Sequence, residues 1–339
     1  MGLARKASLY EKLENGLVRC LVCERGCLLK PGEVGICGNY ANREGELIHL
    51  GYGLLSAIES RPIEVKPLFH YWPNSTALTF SGYGCNFYCP WCQNHHLSFS
   101  KPPLSSERVS PDALVEHAIR AGDDGLCASF NEPATLFDYL LEVFERGKRR
   151  GLYGVLVTNG YFTEKALEKL VEAGADGWSI DIKGCPKAKG ALTSIDHLKV
   201  FRNARKILDM GGHVEMVYLV VTGFNDDPEC AEWIFNKHLD YLGSDTPIHI
   251  NRYYPANFWK KPATSLNRLL EFRNLALKLG IEYVYVGNVG IPELEATTCP
   301  RCGKTLILRN FYRVTYYGIK DDKCPRCGKR IPLRGRFVG

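Results

Sequence analysis

The sequence predicts an α/β protein with a parallel sheet, arranged as a partial (β/α)6-type barrel between two small cysteine-rich modules. Short apolar runs alternate with helix-like stretches through the middle of the 339-residue chain. This alternation is typical of parallel strands joined by right-handed helical crossovers. The apolar runs are nearly continuous, as in strands buried on both faces. Cysteines are grouped before, inside and after this region, which predicts three separate metal-binding groups.

The barrel prediction rests on the individual elements. We predict strands at residues 77–81, 126–130, 154–158, 177–182, 213–221, 248–253 and 282–286. Helix-like stretches between them include residues 110–121, 136–149, 163–173, 198–210 and 266–279. Ser110-Pro111 and Thr163-Glu164 are typical helix starts. We therefore divide the chain into an N-terminal module at 1–75, the barrel at 76–295 and a C-terminal module at 296–339.

Composition and charge exclude several classes of protein. The net charge of +6 is spread along the chain, and the basic run at 146–150 falls at a predicted helix end, where a solvated face is expected. Nucleic-acid binding is therefore not expected. No apolar stretch has the length of a membrane span, and residues 1–6 lead into no signal-peptide core. These features predict a cytoplasmic protein without a membrane partner.

The fourteen cysteines indicate metal binding, because disulfides are rare in cytosolic proteins. Eleven of them form the three groups described below. The other three, Cys127, Cys185 and Cys230, are isolated in the sequence, and we expect them to be buried or inert.

The central group is the most informative. Cys85, Cys89 and Cys92 have C-x3-C-x2-C spacing and follow the first predicted strand of the barrel. Four thiolates would close a tetrahedral site or ligate every iron of a [4Fe-4S] cluster. Three thiolates leave one iron open to a small molecule, which indicates chemistry as well as structure. The alternative is a zinc site that His95 or His96 completes.

The flanking groups have different spacings. The C-terminal group has two C-P-R-C-G knuckles typical of a zinc ribbon, with a rubredoxin-like iron site as the alternative: Cys299, Cys302, Cys324 and Cys327. The N-terminal group has three closely spaced cysteines and a distant fourth: Cys20, Cys23, Cys27 and Cys37. That spacing favours structural zinc, but a second [4Fe-4S] cluster stays open because thiolates bind either.

Polar residues follow five of the predicted barrel strands. In a parallel α/β barrel, the carboxyl ends of the strands form one face, where functional residues collect. Each of these segments could instead be a turn or a helix cap. Their common phase favours a shared site that includes Asn131-Glu132, Asn159, Asp181, Lys183, 222–226 and 251–255.

The three-cysteine spacing, with Trp91 just before the last cysteine, resembles the signature of radical S-adenosylmethionine (SAM) enzymes. Glu132-Pro133 matches the end of their Gly-Gly-Glu-Pro segment, which holds the methionyl amino group. Asp181-Ile182-Lys183 resembles the Asp-Leu-Lys segment of glycyl-radical-enzyme activases, and 220–226 resembles their segment beside the adenosine. The resemblance implies a SAM-binding set of Trp91, Asn131, Glu132, Asn159, Asp181 and Lys183, beside a cluster on Cys85, Cys89 and Cys92.

The chain departs from the activases at two positions. Val217 replaces an arginine, and Tyr254 replaces a histidine near the end of the sixth strand. The order of N-terminal tetrad, activase-like barrel and final ribbon is similar to the radical SAM enzyme of the AmmeMemoRadiSam system. That resemblance implies a Memo-like partner protein, and an electron donor such as a ferredoxin or flavodoxin.

The resemblance implies reductive cleavage of SAM to a 5′-deoxyadenosyl radical, which removes hydrogen from a substrate. A small molecule or a polypeptide in the AmmeMemoRadiSam context is one substrate class. Activation of a partner glycyl-radical enzyme is a second hypothesis. A non-catalytic adaptor with zinc in all three cysteine groups is a third.

Overall fold

The computed structural model describes residues 5–188, 192 and 194–339. Two compact units divide these residues. The first unit contains the described residues up to 61, with 77–177 and 210–212, and the second contains 62–76 and the remainder. Residues 1–4, where the absence of a signal peptide is predicted, lie outside the described part of the chain.

The first unit begins with two small antiparallel sheets. One has the order β1-β6-β5 and the other the order β2-β3-β4. In the second sheet Tyr10 pairs with Cys20, so a cysteine of the tetrad lies directly on a strand. The six strands are β1 (Arg5–Lys6), β2 (Tyr10–Lys12), β3 (Val18–Cys20), β4 (Leu28–Leu29), β5 (Tyr40–Arg43) and β6 (Glu46–His49).

Further strands and helices make up the rest of the first unit. Its strands are β7 (Ala57–Pro62), β8 (Thr76–Ser81), β9 (Gly125–Ala128) and β10 (Tyr153–Thr158), in that spatial order. Its helices are α1 (His95–Ser98), α2 (Pro111–Ala121), α3 (Phe137–Arg149) and α4 (Glu164–Ala173). Strands β8, β9 and β10 pair in parallel and end together. Their side chains are almost wholly buried, as the apolar runs predict.

Capping residues fix where the helices of the first unit begin and end. The Ser110 hydroxyl accepts from Ala113 N–H at the start of α2, and the Thr163 hydroxyl accepts from Ala166 N–H at the start of α4. Gly122 and Gly174 end the same helices in the left-handed conformation. These local signals explain why the predicted helix boundaries agree with the structure to within a residue.

The second unit continues the alternation. Its elements are β11 (Ala175–Ile182, in this unit from Trp178 onward), α5 (His197–Asp209), β12 (His213–Val220), α6 (Pro228–Leu242), β13 (Ile248–Arg252), α7 (Leu266–Leu279) and β14 (Val284–Gly287). Strands β12, β13 and β14 are parallel neighbours, with Met216 opposite Ile248 and Ile248 opposite Val284. Each helix returns the chain to the start of the next parallel strand.

An antiparallel ribbon completes the second unit. It consists of β15 (Thr297–Thr298), β16 (Thr305–Asn310) and β17 (Arg313–Tyr317). Its apolar core contains Leu306, Ile307 and Ile331, packed with Cys299 and Cys324. The ribbon cysteines are therefore anchored in a core and not on a loose tail.

The predicted α/β fold with a mostly parallel sheet is confirmed. All seven predicted strands and the five predicted helices are present, with boundaries that differ by one or two residues. Within the described part of the chain, no helix combines the length and apolar character needed to cross a bilayer.

All three isolated cysteines are buried, as predicted, and Cys127 lies in β9 outside any disulfide. A disulfide between the other two was not predicted. Cys185 and Cys230 form a disulfide, with a Cα–Cα distance of 5.6 Å. They are 45 residues apart in sequence, so only the return of the chain through the intervening α5 and β12 brings the two thiols together.

Candidate functional site

The signature cysteines lie in the loop that leaves β8. Phe87 N–H donates to Cys85 Sγ at 3.3 Å, and Cys92 N–H donates to Cys89 O at 3.0 Å. These bonds curl the loop so that it carries three thiols before α1 begins at His95. Trp91, between the last two cysteines, is 4% exposed. The loop is thus ordered by its own backbone and presents three cysteines from one short segment.

Asn131, at the end of β9, holds the start of this loop. Its side-chain oxygen accepts from Gly82 N–H at 3.2 Å, and its amide nitrogen donates to Gly84 O at 2.8 Å. The preceding Phe130 has a positive φ of 67°, and its carbonyl accepts from Asn94 Nδ2. Asn131 therefore fixes the segment just before Cys85 instead of pointing freely toward solvent.

Glu132 is a buried carboxylate, 3% exposed, held where β9 and β10 end. Oε1 accepts from Thr158 Oγ1 at 2.8 Å and from Ala134 N–H at 3.1 Å, and Oε2 accepts from Asn159 N–H at 2.9 Å. Three donors thus fix the orientation of the carboxylate group. Burial, followed by the negative charge of Glu132, raises the pKa of the Cys85 thiol well above its usual value.

Asn159 connects Glu132 to the signature loop. Its backbone N–H binds Glu132, and its side-chain amide donates to Asn86 Oδ1 at 2.7 Å. Asn86 immediately follows Cys85 and is 1% exposed. The predicted residues Asn131, Glu132 and Asn159 therefore surround the signature loop in the first unit. Asn86 was not predicted as a site residue, although it lies inside the signature.

Asp181 and Lys183 lie in the second unit, at the end of β11. Lys183 Nζ is 2.8 Å from Asp181 Oδ2, and the two side chains are 18% and 25% exposed. Asn225 Nδ2 donates to the Lys183 carbonyl at 3.1 Å, which ties the strand end to the segment after β12. The structure thus pairs the two predicted residues with one another.

The ribbon cysteines converge tightly. The Sγ atoms of Cys299 and Cys327 are 3.5 Å apart, and those of Cys302 and Cys324 are 3.6 Å apart. A tetrahedral zinc ion with Zn–S bonds of about 2.3 Å places its sulfurs about 3.8 Å apart. The four cysteines therefore have the spacing that a single metal ion requires. Burial opposes ionisation of Cys324, but backbone N–H groups of Arg326 and Cys327 contribute to lowering its pKa to about 6.

The N-terminal cysteines line a cavity in the first unit. Its wall contains Cys20, Val22, Cys23, Cys27, Gly35, Ile36, Cys37, Tyr40, Asn86, Ala134 and Thr135. Burial, followed by the negative charge of Cys37, raises the pKa of the Cys23 thiol to about 12. The tetrad therefore surrounds a space and shares one residue, Asn86, with the signature loop.

The site lies in the part of the chain that matches a known protein family. The family model described as the radical SAM superfamily matches residues 79–234, which include the signature and Glu132. An uncharacterized protein of Methanocaldococcus jannaschii is 34% identical over 310 residues, covering 91% of this chain and 92% of that protein. The pyruvate formate-lyase-activating enzyme of Streptococcus mutans is 28% identical over 157 residues, or 43% of this chain and 59% of that enzyme.

Among solved structures, a radical SAM methyltransferase from Sphaerobacter thermophilus is 15% identical, with a TM-score of 0.46. That match covers 90% of this chain and 82% of the other.

The chain belongs to the radical SAM superfamily and is an enzyme. Within the superfamily its sequence is activase-like. The family implies a [4Fe-4S] cluster and SAM, and the residues fit both groups, because three cysteines share one ordered loop beside a buried carboxylate. The hypotheses of a signature zinc site completed by His95 or His96, and of a non-catalytic adaptor, do not agree with this membership.

Proposed function

We propose that this enzyme cleaves SAM reductively and uses the resulting 5′-deoxyadenosyl radical to abstract hydrogen from a substrate. One observation carries the proposal: an ordered three-cysteine loop lies beside a buried glutamate held by three donors. Three thiolates leave one iron for SAM. With SAM bound at that iron, the cluster would supply one electron to the sulfonium, and the protein would orient the reactants.

The residues of the first unit have distinct roles in this proposal. Cys85, Cys89 and Cys92 hold the cluster. Glu132 accepts hydrogen bonds from the methionyl ammonium, and its bonds to Asn159 and Thr158 keep the carboxylate in one orientation. Asn131 keeps the loop in register through Gly82 and Gly84. Because these contacts exist before SAM binds, little ordering is required when it does.

Three further residues are assigned by their resemblance to activase segments. Lys183 pairs with the SAM carboxylate, Asp181 orients that lysine, and Trp91 packs near the adenine. The 2.8 Å contact between Lys183 and Asp181 supports the orienting role, since a flexible lysine is restrained by its neighbour.

The substrate class we favour is a small molecule or a polypeptide residue in an AmmeMemoRadiSam-like system, with a Memo-like partner. Two departures from the activases support this choice. Position 217 in β12 holds a buried valine, so this chain has no arginine where the activases have one. Tyr254 donates to the Asn288 carbonyl at 2.9 Å, where the activases have a histidine.

Activation of a glycyl-radical enzyme is the second candidate. It is favoured by the 28% identity to an enzyme named as activating pyruvate formate-lyase. In this case the radical would take hydrogen from a backbone glycine, and a glycyl radical on the partner would be visible by electron paramagnetic resonance (EPR).

The proposal also assigns the metal of the ribbon and the source of the electron. The ribbon holds structural zinc, which has no redox chemistry. A ferredoxin or flavodoxin supplies the electron, and the enzyme works in the reducing cytoplasm, where such clusters persist. We retain three modules, at 1–75, 76–295 and 296–339.

EPR of the dithionite-reduced enzyme tests SAM binding at the cluster. Adding SAM should change the g values of the signal that depends on Cys85, Cys89 and Cys92, because SAM changes the coordination of the open iron. Cys127→Ala is the matched control, since Cys127 is buried in β9, outside the three cysteine groups and outside any disulfide. A signal that stays the same with saturating SAM would contradict the proposal.

A further inference from the structure

The tetrad cysteines, which line the N-terminal cavity, differ from the ribbon cysteines in the spacing of their sulfur atoms. All four ribbon ligand atoms lie within 4.8 Å of one another. Throughout the part of the chain that the structure describes, no other group of three or more cysteine, histidine or carboxylate side chains meets that limit. The tetrad sulfurs are therefore spread more widely around their cavity than the ligands of one zinc ion would be.

Wider spacing is expected for a cluster. In a [4Fe-4S] cluster each cysteine binds a different iron of a cube, so the thiolates lie farther apart than around a single ion. The signature cysteines, which the family assigns to such a cluster, also fall outside the 4.8 Å limit. The tetrad thus resembles the signature group and not the ribbon.

A buried polar atom points to the same ligand. Among the residues that the structure describes, Asn86 Nδ2 has no hydrogen-bond partner, although Asn86 is only 1% exposed and lines the tetrad cavity. Its Oδ1 is engaged by Asn159 at 2.7 Å, which leaves the amide N–H groups directed away from that contact. An unsatisfied buried donor destabilises the folded protein. Cluster sulfides and thiolates are acceptors that would satisfy it.

The tetrad and the signature loop are joined by direct contacts. Arg25 Nε donates to Asn86 O at 2.9 Å, and Asn39 Nδ2 donates to both Cys37 O and Tyr83 O. At Gly84, beside Cys85, an added Cβ would lie 2.1 Å from the Cys37 carbonyl oxygen, and φ is +79°. Only glycine permits this approach. The two cysteine groups therefore share one packed wall.

We propose that Cys20, Cys23, Cys27 and Cys37 hold a second [4Fe-4S] cluster that exchanges electrons with the signature cluster. All four of its irons are ligated by the protein, so it has no open position for SAM. In each transfer it gains one electron from a reduced carrier protein of the ferredoxin or flavodoxin class. It loses that electron to the signature cluster and returns to its oxidised state. This inference replaces the zinc that the cysteine spacing favours, and its electron-transfer role rests on the proposed function.

Metal analysis of the anaerobically reconstituted full-length enzyme tests the assignment. The wild type should contain about eight iron atoms and one zinc, and Cys85→Ala/Cys89→Ala/Cys92→Ala should contain about four iron and one zinc. Cys23→Ala/Cys37→Ala should also lose half of the iron and keep its zinc. A wild type with four iron and two zinc would overturn the proposal, because zinc would then occupy the tetrad.

The design separates this proposal from the proposed function. If the signature held no cluster, its triple variant would keep all of the wild-type iron, whatever the tetrad binds. The tetrad variant should retain four iron and the SAM-dependent change in EPR, which shows that it is folded. In the reduced wild type, magnetic coupling should split the EPR signal, and each variant should lose the splitting. A wild type with two uncoupled clusters would refute the electron exchange.

Asn86→Asp gives a second test that does not remove a ligand. The variant keeps the oxygen that accepts from Asn159 and removes the N–H donor. Made in the signature triple variant, it should lower the reduction potential of the remaining cluster without loss of iron, because it removes a hydrogen bond to sulfur and adds a negative charge beside the cluster, and both changes lower the potential. An unchanged potential would contradict the position assigned to the cluster.

Discussion

Replacing Glu132 by Gln separates SAM positioning from structural support. Glu132 accepts three hydrogen bonds: two on Oε1, from Thr158 and Ala134, and one on Oε2, from Asn159 N–H. A glutamine can keep the two bonds to one oxygen, but its amide nitrogen cannot accept from Asn159 N–H. The free energy of unfolding should fall by about 1–3 kcal/mol, the cost of one unsatisfied buried donor.

The effect on SAM should be separate and of similar size. The loss of a charge-assisted hydrogen bond to the ammonium is worth about 1.5–3 kcal/mol, so SAM should bind roughly 10- to 150-fold more weakly. Thr158→Val is the matched control, because it removes a donor from the same carboxylate but keeps the charge. It should lose stability and retain SAM affinity within a few-fold.

The assay is equilibrium SAM binding to cluster-loaded protein, measured with the melting curve of each variant. Iron content must match the wild type in every sample. If Glu132→Gln bound SAM as the wild type does, Glu132 would only support the strand ends. If Thr158→Val weakened binding as much as Glu132→Gln, the charge of Glu132 would have no specific role.

Three further predictions concern the rest of the molecule. Lys183→Ala should weaken SAM binding about tenfold, the effect of losing about 1.4 kcal/mol. The melting temperature should change little, because the partly exposed ion pair of Lys183 with Asp181 contributes about 0–1 kcal/mol. Lys187→Ala, a change at an exposed lysine of the same segment, should bind SAM normally. Cys302→Ser should lower zinc content and melting temperature, whereas Cys127→Ser should keep its zinc; a zinc-replete Cys302→Ser would refute the ribbon assignment. Burial raises the pKa of Glu64 from 4.5 to about 7, because the folded protein favours the protonated side chain. The stability that depends on this protonated form is therefore fully present below about pH 4.5 and is lost as the pH rises through 7. The shift from 4.5 to about 7 amounts to on the order of 3 kcal/mol, so Glu64→Gln should melt higher than the wild type at pH 8 and equally below about pH 4.5; equal melting of the two proteins at both pH values would refute this account.

Much of the barrel was predictable because its signals are local. The strands are continuous apolar runs, and Ser110 and Thr163 mark helix starts that the structure places at the same positions. Helix α6 was not among the named helical stretches, although Asp227 before Pro228 caps it and the parallel strands predicted on either side require a crossover there. The small N-terminal sheets were also missed, since strands of two to four residues have too few positions to show a period.

The site was predictable in its residues but not in its contacts. Asn131, Glu132 and Asn159 follow strands, and parallel strands that end together bring such residues to one edge. Nothing in the sequence indicates that Asn86 faces the tetrad cavity or that Gly84 approaches Cys37, because both depend on tertiary packing between distant segments. For the same reason the Cys185–Cys230 disulfide could not be inferred from cysteine spacing.

The central claim is that SAM is cleaved at the cluster on Cys85, Cys89 and Cys92. The most direct measurement is the 5′-deoxyadenosine that the reduced enzyme releases from SAM under anaerobic conditions. The wild type and Cys127→Ala should release it, and Cys85→Ala/Cys89→Ala/Cys92→Ala should release none above the protein-free background. Undiminished release from the triple variant would contradict the account.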